Sequence, residues 1–492
     1  MRKTENCQIF TPTYIVNLIL NTIGYKGDNV INKSIMEPSF GDGAFLIKIV
    51  ERLIVTSRKK GFDDSTIKTL LLSNVFGIEK DDNLYKKAID NIGNVLKKYN
   101  IDDIDMSNNL ICGDTILLYS TFKNKFDFVV MNPPYQRNHH CSEEVLDLLK
   151  QFKYTTGSTD LYIAFYEMAI NMLNSTGKLG CIAPNSFMTN TSQRLFRNDL
   201  ISNQMVSHLY NYKSYNVFQN VSTYTCICIM QKQPCKYLTY REGNPKLGGS
   251  TKISYTYLNQ HVMNKTWTFG TMMDWVYLPG RKTLNDLGTL QYGVSTNADR
   301  IYIGNAYIDT MLYKGKHTDE MKLVLFNGYP VESTLLHRCF KASNNSSSQY
   351  ILFPYQYANG LCTLIDEDVL KKQYPYAYKY LQIHKNELLM RDMDNSVWYA
   401  FARSQGLSNM NNKKLVFKHI MKRDDQIVQA FALDEDVIVY SGMYVTGNDD
   451  NLMQYKKYIE TALFKEYCCF VGKCMANDYV SVNGKAVQSF QI

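Results

Sequence analysis

Short runs of apolar residues recur along the first half of the chain, and amphipathic stretches lie between most of them. The runs have the length of buried strands, whereas the stretches repeat apolar residues at the spacing of helices. Strands that alternate with helices in this way predict a doubly wound, mostly parallel sheet. The predicted strands are Ser34–Met36, Val75–Ile78, Asn109–Cys112, Phe126–Met131, Leu179–Ala183 and Tyr224–Met230. The predicted helices between them include Phe45–Ser57, Asn83–Tyr99 and Leu161–Leu173.

This alternating pattern has a recognisable start and a recognisable end. Thr11 and Pro12 predict a first helix, with the threonine as its N-cap and the proline at its first position. The segment REGNPKLGGS (Arg241–Ser250) combines Gly, Pro and Ser, a composition typical of a linker. The pattern beyond it is irregular and rich in Tyr and Asn. We therefore predict a first α/β domain over residues 1–245 and a second domain over residues 246–492.

Length and composition are those of an ordinary soluble protein of two or three domains. The chain has 492 residues, of which 45% are hydrophobic and 20% are charged, and a single core rarely grows to that size. The net charge of +8 at pH 7 is compatible with a polyanionic partner without requiring one. The 37 tyrosines are either core residues from an AT-rich coding sequence or stacking surfaces for nucleic-acid bases.

The 12 cysteines do not follow a metal-binding or disulfide pattern. No pair has the spacing of a C-x-x-C motif, and the cluster His139-His140-Cys141 has no second cluster to accompany it. We therefore expect reduced thiols and no metal ion. The N-terminus has no apolar signal segment, and no stretch approaches the ~18 apolar residues of a membrane span. A cytoplasmic protein without a membrane partner is the simplest expectation.

A glycine-containing loop follows the first predicted strand. In EPSFGDGAFL (Glu37–Leu46), Gly41 and Gly43 allow a tight turn and a close approach of the backbone to a ligand. Doubly wound folds bind adenosine-containing ligands at such a loop. The residues after Gly43 fit neither the dinucleotide fingerprint nor a Walker A loop, so the loop suits a ligand without a pyrophosphate. Taken alone, it is also typical of a structural turn.

Acidic residues follow at the ends of the next two predicted strands. Glu79 ends the strand VFGIE, where a carboxylate can accept hydrogen bonds from both hydroxyls of a ribose. Asp114 ends LICGD, where a carboxylate can accept from the exocyclic amine of an adenine. Each acid alone is also typical of a solvated strand end. The glycine loop and two acids at three successive strand ends together indicate a nucleoside site.

The fourth predicted strand ends in the motif Asn132-Pro133-Pro134-Tyr135. The two prolines fix φ and remove two backbone donors, which leaves carbonyl oxygens without competing N–H groups. Together with the Asn132 amide oxygen, these carbonyls are acceptors suited to an –NH2 group, and Tyr135 supplies a flat face beside them. The motif predicts a pocket for a planar ring with an exocyclic amine. Accepting hydrogen bonds from that amine draws its nitrogen towards sp3 geometry and frees the lone pair for attack. A rigid turn leaving the sheet is the alternative.

In this order, the segments TPTYI, EPSFGDGAF, GIEKDD, ICGDT and NPPY resemble the gamma class of N6-adenine DNA methyltransferases. The resemblance covers residues 1–235 closely and continues more diffusely towards the C-terminus. It implies an α/β, Rossmann-like S-adenosylmethionine-dependent methyltransferase domain, followed by a mixed α+β target-recognition domain. The cofactor-binding residues that it implies are Thr11, Glu37, Ser39, Gly41, Gly43, Glu79, Asp114 and Phe165.

The same resemblance implies that the sulfonium methyl group is transferred directly to N6 of an adenine flipped out of double-stranded DNA. All four residues of the Asn-Pro-Pro-Tyr motif would be catalytic, with Asn132 and the Pro133 carbonyl accepting the N6 protons. Tyr135 and Phe218 would stack on the base, although Phe218 is also typical of a core residue at a loop edge. Lys80 departs from the family, because many relatives have an apolar residue there, beside the cofactor adenine.

Three segments of the second half, Leu287–Ile303, Tyr374–Asp392 and Trp398–Ile420, resemble the DNA-recognition region of these enzymes. Their basic residues alternate with aromatic ones, which suits phosphate contacts, although each alone is also typical of a solvated surface charge. These basic residues are Lys385, Arg391, Arg403, Lys413, Lys414 and Lys418. The residues predicted to bind DNA are Arg403, Gln405, Lys414 and Lys418.

The sequence leaves other functions open. Enzymes with the same acceptor motif methylate RNA bases or a glutamine amide of translation release factors, although they tend to be compact. Another class is a DNA-binding specificity module with a silent methyltransferase half, against which the intact motif and glycine loop argue. No nuclease pattern is recognisable. We therefore expect a monomeric, stand-alone modification methyltransferase, with a separately encoded restriction endonuclease as a further partner.

Overall fold

The structure is a computed structural model of the chain. It describes residues 11–136, 142–155, 160–213, 215, 217–218, 224–243, 249–277, 282–312, 322–343, 346–358, 361–393, 397–403 and 406–492. The chain divides into two compact units, Met1–Met273 and Asp274–Ile492.

A single nine-stranded sheet organises the first unit. Its strands are β1 (Ile35–Glu37), β2 (Val75–Glu79), β3 (Leu110–Cys112), β4 (Phe126–Met131), β5 (Leu173–Pro184), β6 (Val206–Asn211), β7 (Thr225–Gln231), β8 (Tyr237–Glu242) and β9 (Ser250–Ser254). They follow the order β3-β2-β1-β4-β5-β7-β6-β8-β9. Strands β1 to β5 run parallel, and β7 lies antiparallel between β5 and β6. This order confirms the predicted Rossmann-like fold, in which ligands bind at the carboxyl ends of the parallel strands.

Helices connect the strands of this sheet. They are α1 (Thr13–Ile23), α2 (Asn29–Asn32), α3 (Ala44–Lys59), α4 (Asp64–Asn74), α5 (Asp82–Lys98), α6 (Thr115–Leu118), α7 (Glu143–Leu149), α8 (Leu161–Met172), α9 (Arg194–Ser202) and α10 (Tyr255–Tyr257). Apolar residues of α3 recur with helical spacing and are buried, and Asp81 caps α5 by accepting from two backbone N–H groups. The predicted strands and helices of this half are therefore confirmed, and most of their ends agree within a few residues. The exception is β5, which begins at Leu173 and not at the predicted Leu179.

Two sequence interpretations in this unit are wrong. Thr11 does not cap the first helix, because α1 begins at Thr13 and Pro12 stands at its N-cap without a side-chain cap. The segment Arg241–Ser250 is not a linker, because its two ends belong to β8 and β9, which pair antiparallel in the same sheet. The first compact unit continues to Met273, so the predicted domain boundary after residue 245 lies inside it.

The second unit combines small sheets with short helices. Its strands are β10 (Thr289–Tyr292), β11 (Ile303–Gly304), β12 (Ala306–Leu312), β13 (Lys322–Phe326), β14 (Tyr329–Glu332), β15 (Leu336–Lys341), β16 (Ser346–Leu352), β17 (Tyr355–Ala358), β18 (Leu361–Leu364), β19 (Lys414–Phe417), β20 (Ile420–Lys422), β21 (Ala430–Leu433), β22 (Ile438–Ser441), β23 (Met443–Thr446), β24 (Lys473–Cys474) and β25 (Tyr479–Ser481). Its helices are α11 (Met273–Tyr277), α12 (Asp299–Tyr302), α13 (Glu367–Gln373), α14 (Pro375–Ile383), α15 (Lys385–Leu389), α16 (Asp449–Ile459), α17 (Ala462–Val471) and α18 (Gly484–Gln488).

The two larger sheets of this unit have the strand orders β10-β23-β19-β21 and β11-β16-β15-β22. Most neighbouring strands pair antiparallel, and β15 pairs parallel with β22. This arrangement confirms the predicted mixed α+β second domain. Buried aromatic residues form much of its core, and the Tyr302, Tyr380 and Tyr399 hydroxyls donate to backbone carbonyls. A large share of the tyrosine content is therefore core packing.

Candidate active site

The candidate active site of the first unit lies at the carboxyl edge of its parallel strands. Glu37 and Glu79 end β1 and β2, Asp114 follows β3, and Asn132 follows β4. Parallel strands place these ends on one edge of the sheet. The antiparallel strand β7 begins on the same edge, because Thr225 pairs with Pro184 at the end of β5.

The glycine loop between β1 and α3 makes the predicted tight turn, with a left-handed backbone at both glycines. Gly41 has a φ of +57° and Gly43 a φ of +89°, and side chains other than glycine rarely adopt such values. A Cβ atom at Gly41 would meet no other atom within 4 Å, so the loop surface is open there. At Gly43 a Cβ would lie 3.2 Å from the Ala88 Cβ, so this glycine also permits close packing against α5.

Glu79 connects the glycine loop to the end of β2. Its carboxylate accepts from the Gly41 N–H at 2.8 Å and from the Asp81 N–H at 2.9 Å. Each carboxylate oxygen retains a further lone pair, so these bonds leave acceptor capacity for a ribose. The assignment of Glu79 to the ribose stays a prediction.

Glu37 is an unusual residue for a strand end, because its side chain is only 2% exposed. Burial raises the pKa of its carboxyl group well above the ordinary value, and the nearby Glu79 and Asp42 carboxylates raise it further. Its Oε2 atom has no hydrogen-bond partner among the described residues. A buried acceptor without a donor is costly, so this position suits a ligand that carries an amino group.

Asp114 is fixed by two interactions at the end of β3. One carboxylate oxygen accepts from the Ile116 N–H at 2.9 Å and caps α6, and the other lies 2.9 Å from the Lys80 ammonium. The next residue, Thr115, donates its hydroxyl to the Pro38 carbonyl at 2.5 Å. The end of β3 is thereby tied to the glycine loop. The sequence identified Lys80 as a departure from the family, but not as the partner of Asp114.

The Asn-Pro-Pro-Tyr motif turns away from β4 beside the glycine loop. The Asn132 amide nitrogen donates to the Thr11 hydroxyl at 3.1 Å, and the Ser39 hydroxyl donates to the Asn132 carbonyl at 3.3 Å. Pro133 is buried and Pro134 is half-buried. Thr11 thus orients the amide of the motif, and Ser39 joins the motif to the glycine loop. Both residues were predicted as cofactor-binding, and that role stays a prediction.

Tyr135 and Phe218 are brought together as the sequence predicts. Their ring centroids lie 6.5 Å apart with an angle of 65° between the planes. The Tyr135 hydroxyl donates to the Ile182 carbonyl at 3.3 Å, and burial raises its pKa well above the ordinary value. In this edge-to-face arrangement the two rings lie against each other, and Phe218 is only 3% exposed, among core residues. The alternative of a core phenylalanine at a loop edge therefore stays open. Phe218 would have to move before the two rings could hold a base, and that role stays a prediction.

Phe165 lies in α8 and is 6% exposed. This helix packs against β4 and β5, the two strands that end at the site. In the same helix, the Tyr162 hydroxyl shares a 2.9 Å hydrogen bond with the Ser186 hydroxyl just beyond β5. The helix is therefore anchored at the site edge, while contact of Phe165 with a cofactor stays a prediction.

The predicted DNA-binding residues of the second unit lie in different environments. Lys414 is fully buried, and its ammonium donates to the backbone carbonyls of Asp434, Glu435 and Val437. Its prediction as a phosphate contact is wrong, because the ammonium is enclosed by its own unit. Gln405 lies outside the described residues.

The other basic residues of these segments have protein partners. Arg403 pairs with Asp392 at 2.7 Å, and Lys418 pairs with Asp425 at 2.7 Å. Their roles in binding DNA stay predictions. Lys385 lies over the Trp398 ring, and Lys413 pairs with Asp449. Arg391 donates to four backbone carbonyls, those of Thr296, Leu388, Trp398 and Ala400. Arg391 is thus a structural residue rather than the phosphate contact that its segment suggests.

A polar cleft of about 470 Å³ lies within the second unit. It is lined by Tyr292, Gly293, Val294, Ser295, Asn297, Asp299, His419, Tyr440, Ser441 and Gly442. Arg403 lies beside it, since its backbone N–H donates to the Ser295 carbonyl at 3.2 Å. The segment Leu287–Ile303, which resembles the start of a recognition region, therefore contributes one wall of the cleft.

Within the described ranges, no group of three or more His, Cys, Asp or Glu side chains is arranged to hold a metal ion. The His139-His140-Cys141 cluster lies outside these ranges. Among the helices of the described part of the chain, none is long and apolar enough to cross a membrane.

The first unit is similar to methylases of restriction-modification systems. The family described as Eco57I restriction-modification methylase matches residues 46–218. The Type II restriction enzyme and methyltransferase RM.Eco57I of Escherichia coli is 23% identical over 83% of this chain and 48% of the relative. The Type II methyltransferase M.BstVI of Geobacillus stearothermophilus is 30% identical over 45% of this chain and 41% of the relative. The chain spans about half the length of these two relatives or less.

One solved structure resembles nearly the whole chain. It is described as the Type IIL restriction-modification enzyme MmeI in complex with DNA, and it covers 96% of this chain and 64% of its own, with a TM-score of 0.60 and 13% identity. This similarity concerns the fold alone. The match over residues 46–218 and the two methyltransferase relatives confirm the resemblance to methyltransferases of restriction-modification systems that the motifs predict.

Proposed function

We propose that this chain, whose residues 46–218 match the Eco57I restriction-modification methylase family, is a site-specific DNA methyltransferase. Its reaction would transfer the methyl group of S-adenosylmethionine to N6 of an adenine flipped out of double-stranded DNA. A cytoplasmic location, a monomeric state and a separately encoded restriction endonuclease as partner belong to the same proposal.

The observation that supports this proposal most directly is the hydrogen bond from the Ser39 hydroxyl to the Asn132 carbonyl. It joins the loop that suits an adenosine-containing ligand to the turn that suits an amine. The two reacting groups would therefore meet at the adjacent ends of β1 and β4, which pair parallel. Holding a nucleophile next to its electrophile contributes a large part of the rate in such transfers.

The residues at the strand ends fit S-adenosylmethionine. Glu37 is a buried acceptor whose Oε2 atom has no donor among the described residues, and it would pair with the amino group of the methionine part. Glu79 and Asp114 would hold the ribose and the adenine, and the open surface of Gly41 would allow close approach. Three acidic side chains also suit a positively charged ligand. When bound, the cofactor supplies an electrophilic methyl group on a sulfonium sulfur.

The Asn-Pro-Pro-Tyr motif would bind and orient the target amine. Because the Asn132 amide nitrogen donates to Thr11, its orientation is set and its oxygen serves as an acceptor for one N6 proton. The Pro133 carbonyl would accept a hydrogen bond from the other N6–H group. As the bond from N6 to the methyl carbon forms, the bond from that carbon to the cofactor sulfur would break, and one N6 proton would leave to solvent. Tyr135 and Phe218 would hold the ring between them and align the nitrogen lone pair with the methyl carbon.

The second unit would recognise the DNA target. Its polar cleft presents amide, hydroxyl and imidazole groups from Ser295, Asn297 and His419, which are donors and acceptors able to read base edges. Arg403, beside this cleft, remains the strongest of the predicted DNA contacts. The comparison structure, whose description includes DNA, adds to this proposal.

The decisive experiment is mass spectrometry of nucleosides from unmethylated genomic DNA after incubation with the full chain and S-adenosylmethionine. We expect N6-methyladenine to appear with the wild-type chain and not with Asn132→Ala. Parallel incubations with RNA and with a release-factor protein test the alternative substrates. N4-methylcytosine in the DNA, or methylation of RNA or protein alone, would refute the proposed substrate.

A further inference from the structure

Two partly exposed tyrosines of the first unit border the candidate active site. Tyr14 is 48% exposed and Tyr215 is 39% exposed. Thr11, which orients the Asn132 amide, precedes Tyr14 by three residues. Phe218, which faces the catalytic motif, follows Tyr215 by the same number. Both exposed rings therefore belong to segments that are anchored at the proposed target-base pocket.

A third tyrosine connects these two rings. The Tyr212 ring is buried, with its centroid 6.3 Å from that of Tyr215, and the Tyr215 N–H donates to the Tyr212 carbonyl at 2.9 Å. Leu18 lines a narrow recess together with Tyr212, and Tyr14 lies one turn before Leu18 on the same face of α1. We name Tyr14, Tyr212 and Tyr215 the tyrosine platform.

A guanidinium group lies behind the platform. Arg241, near the end of β8, lines the same recess as Tyr212, and it pairs in register with Tyr210 on β6. Its side chain is only partly buried. The guanidinium therefore places a positive charge beside the platform, which suits the phosphates of a nucleic-acid strand.

We propose that the two exposed rings of the tyrosine platform, Tyr14 and Tyr215, stack a base of the DNA strand next to the flipped-out adenine, while Arg241 contacts the adjoining phosphate. This inference rests on the proposed function and extends the binding surface beyond the target-base pocket. Flipping one nucleotide removes a stacking neighbour from the next base, and an exposed tyrosine face can replace that neighbour whatever the base is. The platform combines ring faces with a cation, which is the usual composition of surfaces that bind single strands.

The test measures binding of a short, fluorescently labelled, single-stranded DNA of mixed sequence to the full chain by anisotropy. We expect Tyr14→Ala and Tyr215→Ala each to raise the Kd about fivefold or more, the loss typical of one stacked base. Tyr14→Phe and Tyr215→Phe should keep the Kd within about twofold of the wild type, because the ring faces remain. Tyr14→Leu and Tyr215→Leu keep apolar bulk and replace the alanine variants if those unfold.

Tyr237 supplies a matched control on the same sheet. It is 43% exposed, at the start of β8, on the edge opposite to the active site, so Tyr237→Ala should leave the Kd unchanged. The platform proposal is overturned if the Kd for DNA does not change in the Tyr14 and Tyr215 variants. It is also overturned if Tyr237→Ala loses as much DNA affinity as they do. The proposed function would survive that result if the wild type still methylates DNA. If the variants lose affinity only for a matching RNA oligonucleotide, the assignment to DNA is overturned. If the wild type neither binds nor methylates DNA, both the platform proposal and the proposed function are overturned.

Discussion

The Lys80 ammonium lies 2.9 Å from the Asp114 carboxylate, in an ion pair across the ends of β2 and β3. The other oxygen of Asp114 is already used by the Ile116 N–H. The lysine ammonium thus lies against the oxygen that the adenine amine of a cofactor would approach. The amine would compete with the lysine for this carboxylate, and the positive charge of the lysine would disfavour a cationic cofactor beside it.

Replacing Lys80 with methionine should therefore tighten cofactor binding. The side chain of Lys80 is 66% exposed, and an exposed pair of this kind contributes about 0.2–1 kcal/mol. We expect a decrease of about two- to fivefold in the Kd of S-adenosylmethionine at low ionic strength, measured by calorimetry. The difference from the wild type should shrink as salt is added, because salt weakens the competing pair.

Lys86→Met is the control, since Lys86 pairs with Asp82 on α5 at 2.6 Å and takes no part in the strand-end site. Its cofactor Kd should equal that of the wild type. A weaker affinity in Lys80→Met would show that the lysine supports the cofactor instead of competing with it.

Glu37 leads to a prediction about pH. Burial raises the pKa of its carboxyl group in the folded, ligand-free chain, so the folded chain retains a proton that the unfolded chain releases near its ordinary pKa. The contribution of this group to stability is therefore highest at acid pH and is lost as the pH rises from about 4.5 towards the folded pKa. Glu37→Gln removes the titrating group and should make the ligand-free chain more stable at neutral pH, by about 1–3 kcal/mol.

Melting temperatures measured from acid to neutral pH, with and without S-adenosylmethionine, check this prediction. The wild type should lose stability with rising pH more steeply than Glu37→Gln and should regain it when the cofactor binds. The variant should bind the cofactor at least about tenfold more weakly, since it offers no charge to the amino group. Identical pH slopes in the two proteins would contradict a raised pKa for Glu37.

Asn132→Ala should separate catalysis from cofactor binding. The amide is proposed to contact the target amine, and the strand-end acids are proposed to hold the cofactor. Loss of an oriented hydrogen-bonding group at a reacting centre typically costs about 10²–10³ in rate, so methyl transfer to genomic DNA should fall by at least about a hundredfold. The cofactor Kd should stay within about twofold of the wild type.

Asn174→Ala serves as the control for this variant. Asn174 lies near the start of β5, at the edge of the sheet opposite to the active site, and its amide nitrogen donates to Asp127 near the start of β4. Methyl transfer in single-turnover assays should be nearly unchanged in this variant. If Asn132→Ala keeps full activity, the motif asparagine does not hold the amine.

The first unit was predictable because its parallel strands are continuous apolar runs that end in turns with distinctive residues. The run at Phe126–Met131 and the motif after it show both features. By contrast, β6 was missed because Val206–Asn211 carries polar side chains and is buried only at some positions. The hairpin of β8 and β9 was mistaken for a linker because its connecting residues have the composition of one.

Side-chain partners were much harder to predict than strands. Thr11 precedes a helix and looks like an N-cap, yet its hydroxyl accepts from Asn132, which is distant in sequence. Lys80 and Asp114 also meet only when β2 and β3 align in the sheet. Local sequence patterns do not contain such long-range contacts. Small mixed sheets like those of the second unit depend on them most, so that part of the fold could be predicted only as a class.

Lys414 shows how a basic residue in a recognition-like segment can instead be structural. Its ammonium donates to the carbonyls of Asp434, Glu435 and Val437 at 2.8, 3.3 and 3.0 Å. Burial lowers its pKa to about 8, so the ammonium is held at some cost below that pH. The contribution of this group to stability should therefore rise between about pH 8 and the pKa of an unfolded lysine, near 10.5.

Lys414→Ala should consequently destabilise the chain without specifically weakening DNA binding. Removing the ammonium leaves three backbone carbonyls without their donor, a change that we expect to cost about 2–4 kcal/mol. Lys418→Ala is the matched comparison, because Lys418 is partly exposed and pairs with Asp425; it should cost less than about 1 kcal/mol. Chemical denaturation gives the stabilities, and anisotropy of labelled duplex DNA below the unfolding transition gives the Kd values. A stable Lys414→Ala chain with a greatly raised Kd for DNA would restore this lysine as a phosphate contact.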